Sequence, residues 1–222
     1  LDETPEFSRA ALESLRAPLE DRQVTISRAG RRVRFPTDFS LVCAMNPCPC
    51  GYQGDPSHDC RCTPLQVDRY RRRLSGPLMD RIDLQVRLHP VDPERLLSGE
   101  LAEKTEEVCQ RVARARRCQS QRNSVNGRSW SNAALDLNGI QRWAPLNEPA
   151  RQFLLRATRR LGLSARSFHR VIRVARTVAD LAGEEDVERT HLAEAITYRA
   201  LERMPESGQG RAPVSVTRAS IH

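Results

Sequence analysis

Apolar residues at Phe7, Ala11, Leu12, Leu15 and Leu19 recur at helical spacing, which predicts a helix over 7–21 whose run Pro18 limits. Val24-Thr25-Ile26 and Val33-Arg34-Phe35 then alternate on either side of Arg28-Ala29-Gly30-Arg31, the pattern of a β-hairpin with an arginine-rich tip. From Phe39 to Met45 the chain is almost continuously apolar, as a parallel strand covered on both faces would be, and Asn46-Pro47 ends the run. Ile82, Leu84, Val86 and Leu88 alternate with Asp83, Gln85 and Arg87, which predicts a further strand.

Beyond residue 100 the period changes. A very polar helix is predicted over 103–122, and 120–139 is rich in Ser, Asn and Gly, which places a domain boundary there. Helices are predicted over 150–161 and 165–181, with a third after Thr190, a candidate N-cap with Glu194 in the early turns. Phe168, Val171, Ile172, Ala175, Val178 and Ala179 form the apolar stripe of the second of these. The expected architecture is an α/β part with parallel strands and a β-hairpin (1–100), a polar helix and linker (101–139), an all-α bundle (140–204), and a tail (205–222) with little to bury.

Composition adds two constraints. The 222 residues carry 36 Lys+Arg against 28 Asp+Glu, a net charge of +8, which is compatible with a polyanionic partner and equally with a charged, soluble surface. Lys104 is the one lysine, and no glycine closely precedes it, so the chain cannot contain a phosphate-binding G-x-x-x-x-G-K-[ST] loop. No run of about 18 apolar residues occurs and the first residues lack the pattern of a signal peptide, so a soluble, cytoplasmic protein with no membrane partner is expected.

Seven cysteines in such a setting favour metal over disulfide. Cys48-Pro49-Cys50 and Cys60-Arg61-Cys62 bring four thiols within fifteen residues, suited to a closed, structural tetrahedral zinc site. Free thiols are the alternative, and the C-x-C spacing is less specific than C-x-x-C. His58 reads as an exposed loop histidine, with a substitute ligand as the alternative, and Cys43, Cys109 and Cys118 read as bystanders.

Three further features carry candidate chemistry. Asp2-Glu3 alone means no more than a favourable helix N-terminus, and Asn46 before proline is ordinarily a turn former. Arg81, set among Leu78, Met79 and Ile82, must find an anionic partner or reach an interface. Arg166, Arg170 and Arg173 follow at i, i+4 and i+7 in a stretch, 149–179, that holds eight arginines and no acid. That row is either a solvated basic face or a ready site for phosphates.

Four segments in order, Leu1-Asp2-Glu3-Thr4-Pro5-Glu6-Phe7, Ala44-Met45-Asn46-Pro47-Cys48-Pro49-Cys50-Gly51-Tyr52, the stretch 74–84, and Leu163-Ser164-Ala165-Arg166-Ser167-Phe168-His169-Arg170, resemble the AAA+ ATPases of the magnesium-chelatase-like group. The resemblance is nearest to the ComM/YifB proteins of bacterial transformation and recombination. It implies that Asp2 and Glu3 end the Walker B strand, with Asp2 near Mg2+ and Glu3 activating the attacking water of ATP hydrolysis. Asn46 is then the γ-phosphate sensor, Arg81 the arginine finger that reaches a neighbour's ATP in a ring, a hexamer on the family pattern, and Arg166 the second sensor on a helical lid. The hairpin would point toward DNA, with Arg28, Arg31 and Arg32 on backbone phosphates.

On that resemblance the chain is expected to start inside Walker B, to be the C-terminal half of a motor acting on DNA by branch migration or helicase action, and to hydrolyse ATP negligibly alone. Two other readings stay open: a zinc-stabilised nucleic-acid-binding module without motor activity, and a chelatase-type remodeller that inserts metal into a porphyrin.

Overall fold

A computed structural model of the chain describes residues 1–28, 30–88, 91, 94, 97, 103–125, 128–129 and 131–199. The tail expected over 205–222 lies outside them. A 3-10 turn at Thr4–Glu6 leads into two short helices, α1 (Arg9–Ser14) and α2 (Arg16–Asp21). The single helix predicted over 7–21 therefore breaks at Leu15, and Arg22, with φ 52°, ends it in the left-handed conformation.

The predicted hairpin forms. β1 (Gln23–Arg28) pairs antiparallel with β2 (Arg31–Pro36), in a register that sets Val24 opposite Phe35, Ile26 opposite Val33 and Arg28 opposite Arg31. Arg28 facing Arg31 leaves a two-residue turn, and Gly30 supplies the positive φ of 75° that such turns require.

The two buried strands do not form. Val42 is 78% exposed and Leu88 87% exposed, and the strands among the described residues pair antiparallel, with one isolated parallel bridge between Leu146 and Val187. Among the described residues the 42–44 stretch pairs with the N-terminal segment, where Leu1 N donates to Val42 O (2.7 Å), Ala44 N to Leu1 O (2.8 Å) and Thr4 N to Ala44 O (2.9 Å). Glu3, in the left-handed region at φ 47°, breaks the regular ladder at that point. Stretch 84–88 is tied to the rest by Gln85 N donating to Tyr198 O at 2.6 Å. Apolar runs predict buried strands only when neighbours cover both faces, and here they do not.

α3 (Pro64–Arg71) starts from a capping box in which Thr63 and Gln66 satisfy each other's backbone amides, and α4 (Gly76–Met79) starts from Ser75. The polar helix α5 (Thr105–Arg122) forms as predicted, followed by the short antiparallel pair β3 (Ser124–Val125) and β4 (Arg128–Ser129).

α6 (Leu137–Trp143) was hidden in a Ser/Asn/Gly-rich stretch; Asp136 caps it by accepting from Gly139 N at 2.7 Å. A Cβ on Gly139 would stand 2.9 Å from Leu135, which is why glycine sits inside this helix. α7 (Glu148–Leu161), α8 (Ala165–Ala182) and α9 (Arg189–Thr197) follow among the described residues, with Glu188 rather than Thr190 as the N-cap of α9.

The main core lies among α6 to α9. Ala150, Leu154, Val171, Ala175, Ala179, Leu192 and Ala195 are fully buried there. Asp180 holds α5 against α8: Arg122 grips both its oxygens at 2.7 Å, Asn132 Nδ2 donates at 2.7 Å, and buried Arg176 donates from Nε at 3.1 Å. No described helix is long and apolar enough to cross a membrane.

Candidate functional site

Three groups of residues carry candidate chemistry. In the first, the hydrogen bonds between Leu1–Thr4 and 42–44 put Asp2 and Glu3 on a segment adjoining Asn46. Asp2 Oδ1 accepts from Glu3 N at 2.9 Å, both acids are exposed, and Thr4 locks the junction by donating from its hydroxyl to Ala44 O at 3.0 Å. Tyr70 of α3 meets the Asn46 backbone. Burial pushes its phenol up, against a hydrogen bond from the Asn46 backbone, and the charges of Glu6 and Glu3 add to the rise.

The second group is the cysteine knot. Cys48 Sγ lies 3.4 Å from Cys50 Sγ and 3.6 Å from Cys60 Sγ, Cys50 and Cys60 are 3.6 Å apart, and all four sulfurs, with Cys62, fall within 4.8 Å of one another. A tetrahedral zinc site with Zn–S bonds of ~2.3 Å would place its sulfurs roughly 3.8 Å apart, so the donor set fits zinc.

The fold builds the knot locally. Gly51 turns the chain with φ 85°, its N–H bonding Cys48 O at 3.0 Å, and Arg71 of α3 spans the loop to Gln53 Oε1 at 2.8 Å. Hydrogen bonds from the Tyr52 backbone pull the Cys50 thiol down to about 6, while burial and the hydrogen bond to Cys50 push Cys62 up to about 12. Cys60 is also raised: burial and the sulfurs of Cys50 and Cys48 outweigh a hydrogen bond from the Cys62 backbone that acts to lower it. His58 is not in the knot; it stacks on Tyr52 with ring centres 4.8 Å apart and meets Asp55 at 3.3 Å. Cys43, Cys109 and Cys118 are exposed and stand apart.

The third group was the least expected. Arg81 does find an anion: its Nη2 is hydrogen-bonded to Glu20 Oε2, and its Nη1 donates to Pro77 O at 2.6 Å. Arg166 binds the other oxygen of the same carboxylate, from Nε at 3.1 Å and Nη2 at 2.8 Å. Glu20 is held below the ordinary value of 4.5, because the hydrogen bond from Arg166 and the charges of Arg81 and Arg166 outweigh its partial burial.

The surroundings fix this arrangement. Ser164 and Ser167, at the start of α8, donate to Asp80 at 3.3 and 3.1 Å, Arg170 pairs with Asp83, and Arg199 donates to Ile82 O at 2.8 Å. Of the arginine row, Arg166 and Arg170 therefore take carboxylates. Arg173 is lowered by burial and the charges of Arg170 and Arg22. Asp2, Glu3 and Asn46 make no hydrogen bond or ion pair with Arg81 or Arg166. Arg28, Arg31 and Arg32 are exposed at the hairpin tip. Glu20, Asp80 and Asp83 escaped sequence reasoning because nothing local distinguishes them from solvated acids.

The layout is an α/β segment followed by a helical domain docked onto it through ion pairs. Two family models match in the same order: Magnesium chelatase, subunit ChlI, over residues 1–96, and Magnesium chelatase, subunit ChlI C-terminal, over residues 102–199. The chain is 43% identical over 207 residues to competence protein ComM of Haemophilus influenzae and 42% identical over 207 residues to the uncharacterized protein YifB of Escherichia coli. It is 39% identical over 203 residues to an uncharacterized protein of Mycobacterium tuberculosis. These alignments cover 90–92% of this chain but 39% of each relative, so the chain spans about two fifths of their length. The chain belongs to the magnesium-chelatase-like family, in its ComM/YifB branch.

Proposed function

We propose that this chain is part of an AAA+ ATPase that assembles into a ring, a hexamer on the family pattern, and drives movement on DNA during recombination or transformation. The observation that carries the reading is the adjoining placement of Asp2-Glu3 and Asn46, joined through Thr4 and Ala44. Hydrolysis of ATP needs an acid pair to hold Mg2+ and orient water, and a polar sensor beside the γ-phosphate. Asp2, Glu3 and Asn46 take those roles, Arg81 acts on the neighbour's phosphate, and Arg166 acts as the lid sensor.

The four thiols hold a structural Zn2+ that braces the segment between Asn46 and Arg81. Arg28, Arg31 and Arg32 at the exposed hairpin tip contact the DNA backbone, a sequence-independent interaction that weakens with salt. The test uses the full-length protein, because this chain supplies no phosphate-binding lysine loop. Glu3→Gln must abolish DNA-stimulated ATP hydrolysis while ATP binding survives, and Arg81→Ala must do the same. Undiminished turnover in Glu3→Gln sinks the assignment.

A zinc-stabilised nucleic-acid-binding module is the second reading, favoured by the knot and the exposed arginine tip. It is preferred if full-length protein binds DNA with a steep salt dependence yet shows no ATP turnover.

A further inference from the structure

Segment 6–9 and helix α3, with the residues that follow it, line a groove of ≈ 620 Å³ to which the reading above assigns no role. Its α3 wall is set by helical spacing: Leu65, Asp68, Arg69 and Arg72 fall at i, i+3, i+4 and i+7 and so share one face. The other wall brings Phe7 and Arg9. Arg73 ties the two walls together, donating to Pro5 O at 2.8 Å and to Glu6 Oε2 at 3.0 Å.

The groove combines two kinds of group. Phe7 is 43% exposed and Leu65 67% exposed, so an aromatic ring and an aliphatic side chain meet solvent within a charged surface. Around them stand four arginines against the two acids Glu6 and Asp68, an excess of two positive charges. The acids are already taken: Arg72 pairs with Asp68 at 2.7 Å and Arg73 with Glu6. Arg9 and Arg69 make no hydrogen bond or ion pair among the described residues, and Arg9 lends only its charge to Glu13 along α1. Unpaired guanidinium groups beside an exposed ring match a polyanion that also carries flat apolar faces, which is single-stranded nucleic acid. A duplex offers phosphates but keeps its base faces stacked, and so leaves Phe7 and Leu65 without a partner.

We propose that this groove binds single-stranded nucleic acid, with a base stacked on Phe7 and packed against Leu65, and with Arg9 and Arg69 on the flanking phosphates. The proposal rests on the nucleic-acid part of the reading above and adds to it a contact that selects an unpaired strand, which the backbone contact assigned to the hairpin tip does not. The bond from Arg73 to Pro5 O joins the groove to the segment that carries Asp2 and Glu3.

The experiment is fluorescence anisotropy of the chain with a labelled oligothymidylate and with a labelled duplex of the same length, over a series of salt concentrations. Phe7→Leu, which keeps an apolar side chain and removes the ring, should weaken oligothymidylate binding about fivefold, the low end for one lost base stack, and leave duplex binding unchanged. Arg69→Ala should reduce the slope of log affinity against log salt on the single strand by ~0.7, the value of one phosphate contact. Arg116→Ala, which removes the same charge from an exposed position on α5, should change neither. Both losses should persist in a chain that also carries Arg28→Ala, Arg31→Ala and Arg32→Ala. Single-strand affinity unmoved by Phe7→Leu overturns the proposal, as does an equal loss on duplex or an unchanged salt slope in Arg69→Ala. Each of these failures leaves the hairpin contact and the ATPase reading standing, since those depend on the hairpin arginines and on Glu3→Gln in the full-length protein.

Discussion

Zinc uptake by the cysteine knot should release protons in a number that the structure sets. Zinc takes thiolates, so every ligand protonated beforehand must give up its proton on binding. At pH 7 Cys50, drawn down to about 6, is already mostly thiolate, whereas Cys62, pushed up to about 12, and Cys60, also raised, are protonated. Cys60 and Cys62 contribute one proton each, so uptake at pH 7 must release at least two. Below about pH 6 Cys50 becomes protonated as well, and the fall of log affinity with pH should steepen by one further unit per pH unit. The binding free energy should be on the order of 10 kcal/mol, as in small structural zinc sites. The assay is calorimetry on chelator-stripped protein under reducing conditions, in two buffers of different ionisation heat, with hydrogen exchange of residues 47–62 followed in parallel. Saturable uptake of one zinc per chain with release of fewer than two protons at pH 7 would refute the assigned thiol states, and absence of uptake by the wild type would refute the site. Cys60→Ser should weaken binding by orders of magnitude and leave the 47–62 amides exchanging as in stripped protein.

Asp180→Ala leaves the buried Arg176 and the adjacent Arg122 without their carboxylate, and should cost about 3–5 kcal/mol in urea unfolding followed by far-ultraviolet circular dichroism. Leu154→Ala, at a fully buried site among the helices, should cost about 2–5 kcal/mol in the same assay. Acid should loosen the Glu20 clamp. Glu20's carboxyl is depressed in the folded chain, so its contribution is intact above the ordinary value of 4.5 and disappears as pH falls through the folded value, which NMR titration of its carboxyl would follow. If the hairpin tip contacts DNA phosphates, replacing Arg28, Arg31 and Arg32 with alanine should reduce the slope of log affinity against log salt by ~0.9 per lost contact, read by fluorescence anisotropy.

Features specified by neighbours in sequence were legible. The hairpin register follows from alternation around a glycine turn, α5, α7 and α8 from their period, and the knot from four thiols placed close along the chain. Features that depend on distant partners were not. The 39–45 and 82–88 runs have the apolar character of buried strands, but among the described residues neither is paired into a sheet. α6 was concealed by Asn138 and Gly139, whose turn-forming tendency is overridden by the Asp136 cap and by packing against Leu135. The need of Arg81 for an anion could be read from its apolar flanks. That the anion is Glu20, shared with Arg166, depends on α2, α4 and α8 converging in space.

That convergence gives the 80–85 segment an unusual mechanical allegiance. Asp80 is held by Ser164 and Ser167, Asp83 by Arg170, Ile82 O by Arg199 and Gln85 N by Tyr198 O, all from the helical domain. Arg81 is therefore carried as freight by the helices rather than by the α/β segment that precedes it in sequence. A displacement of the bundle would therefore be passed to its guanidinium, resisted on the other side by Pro77 O and the Glu20 carboxylate.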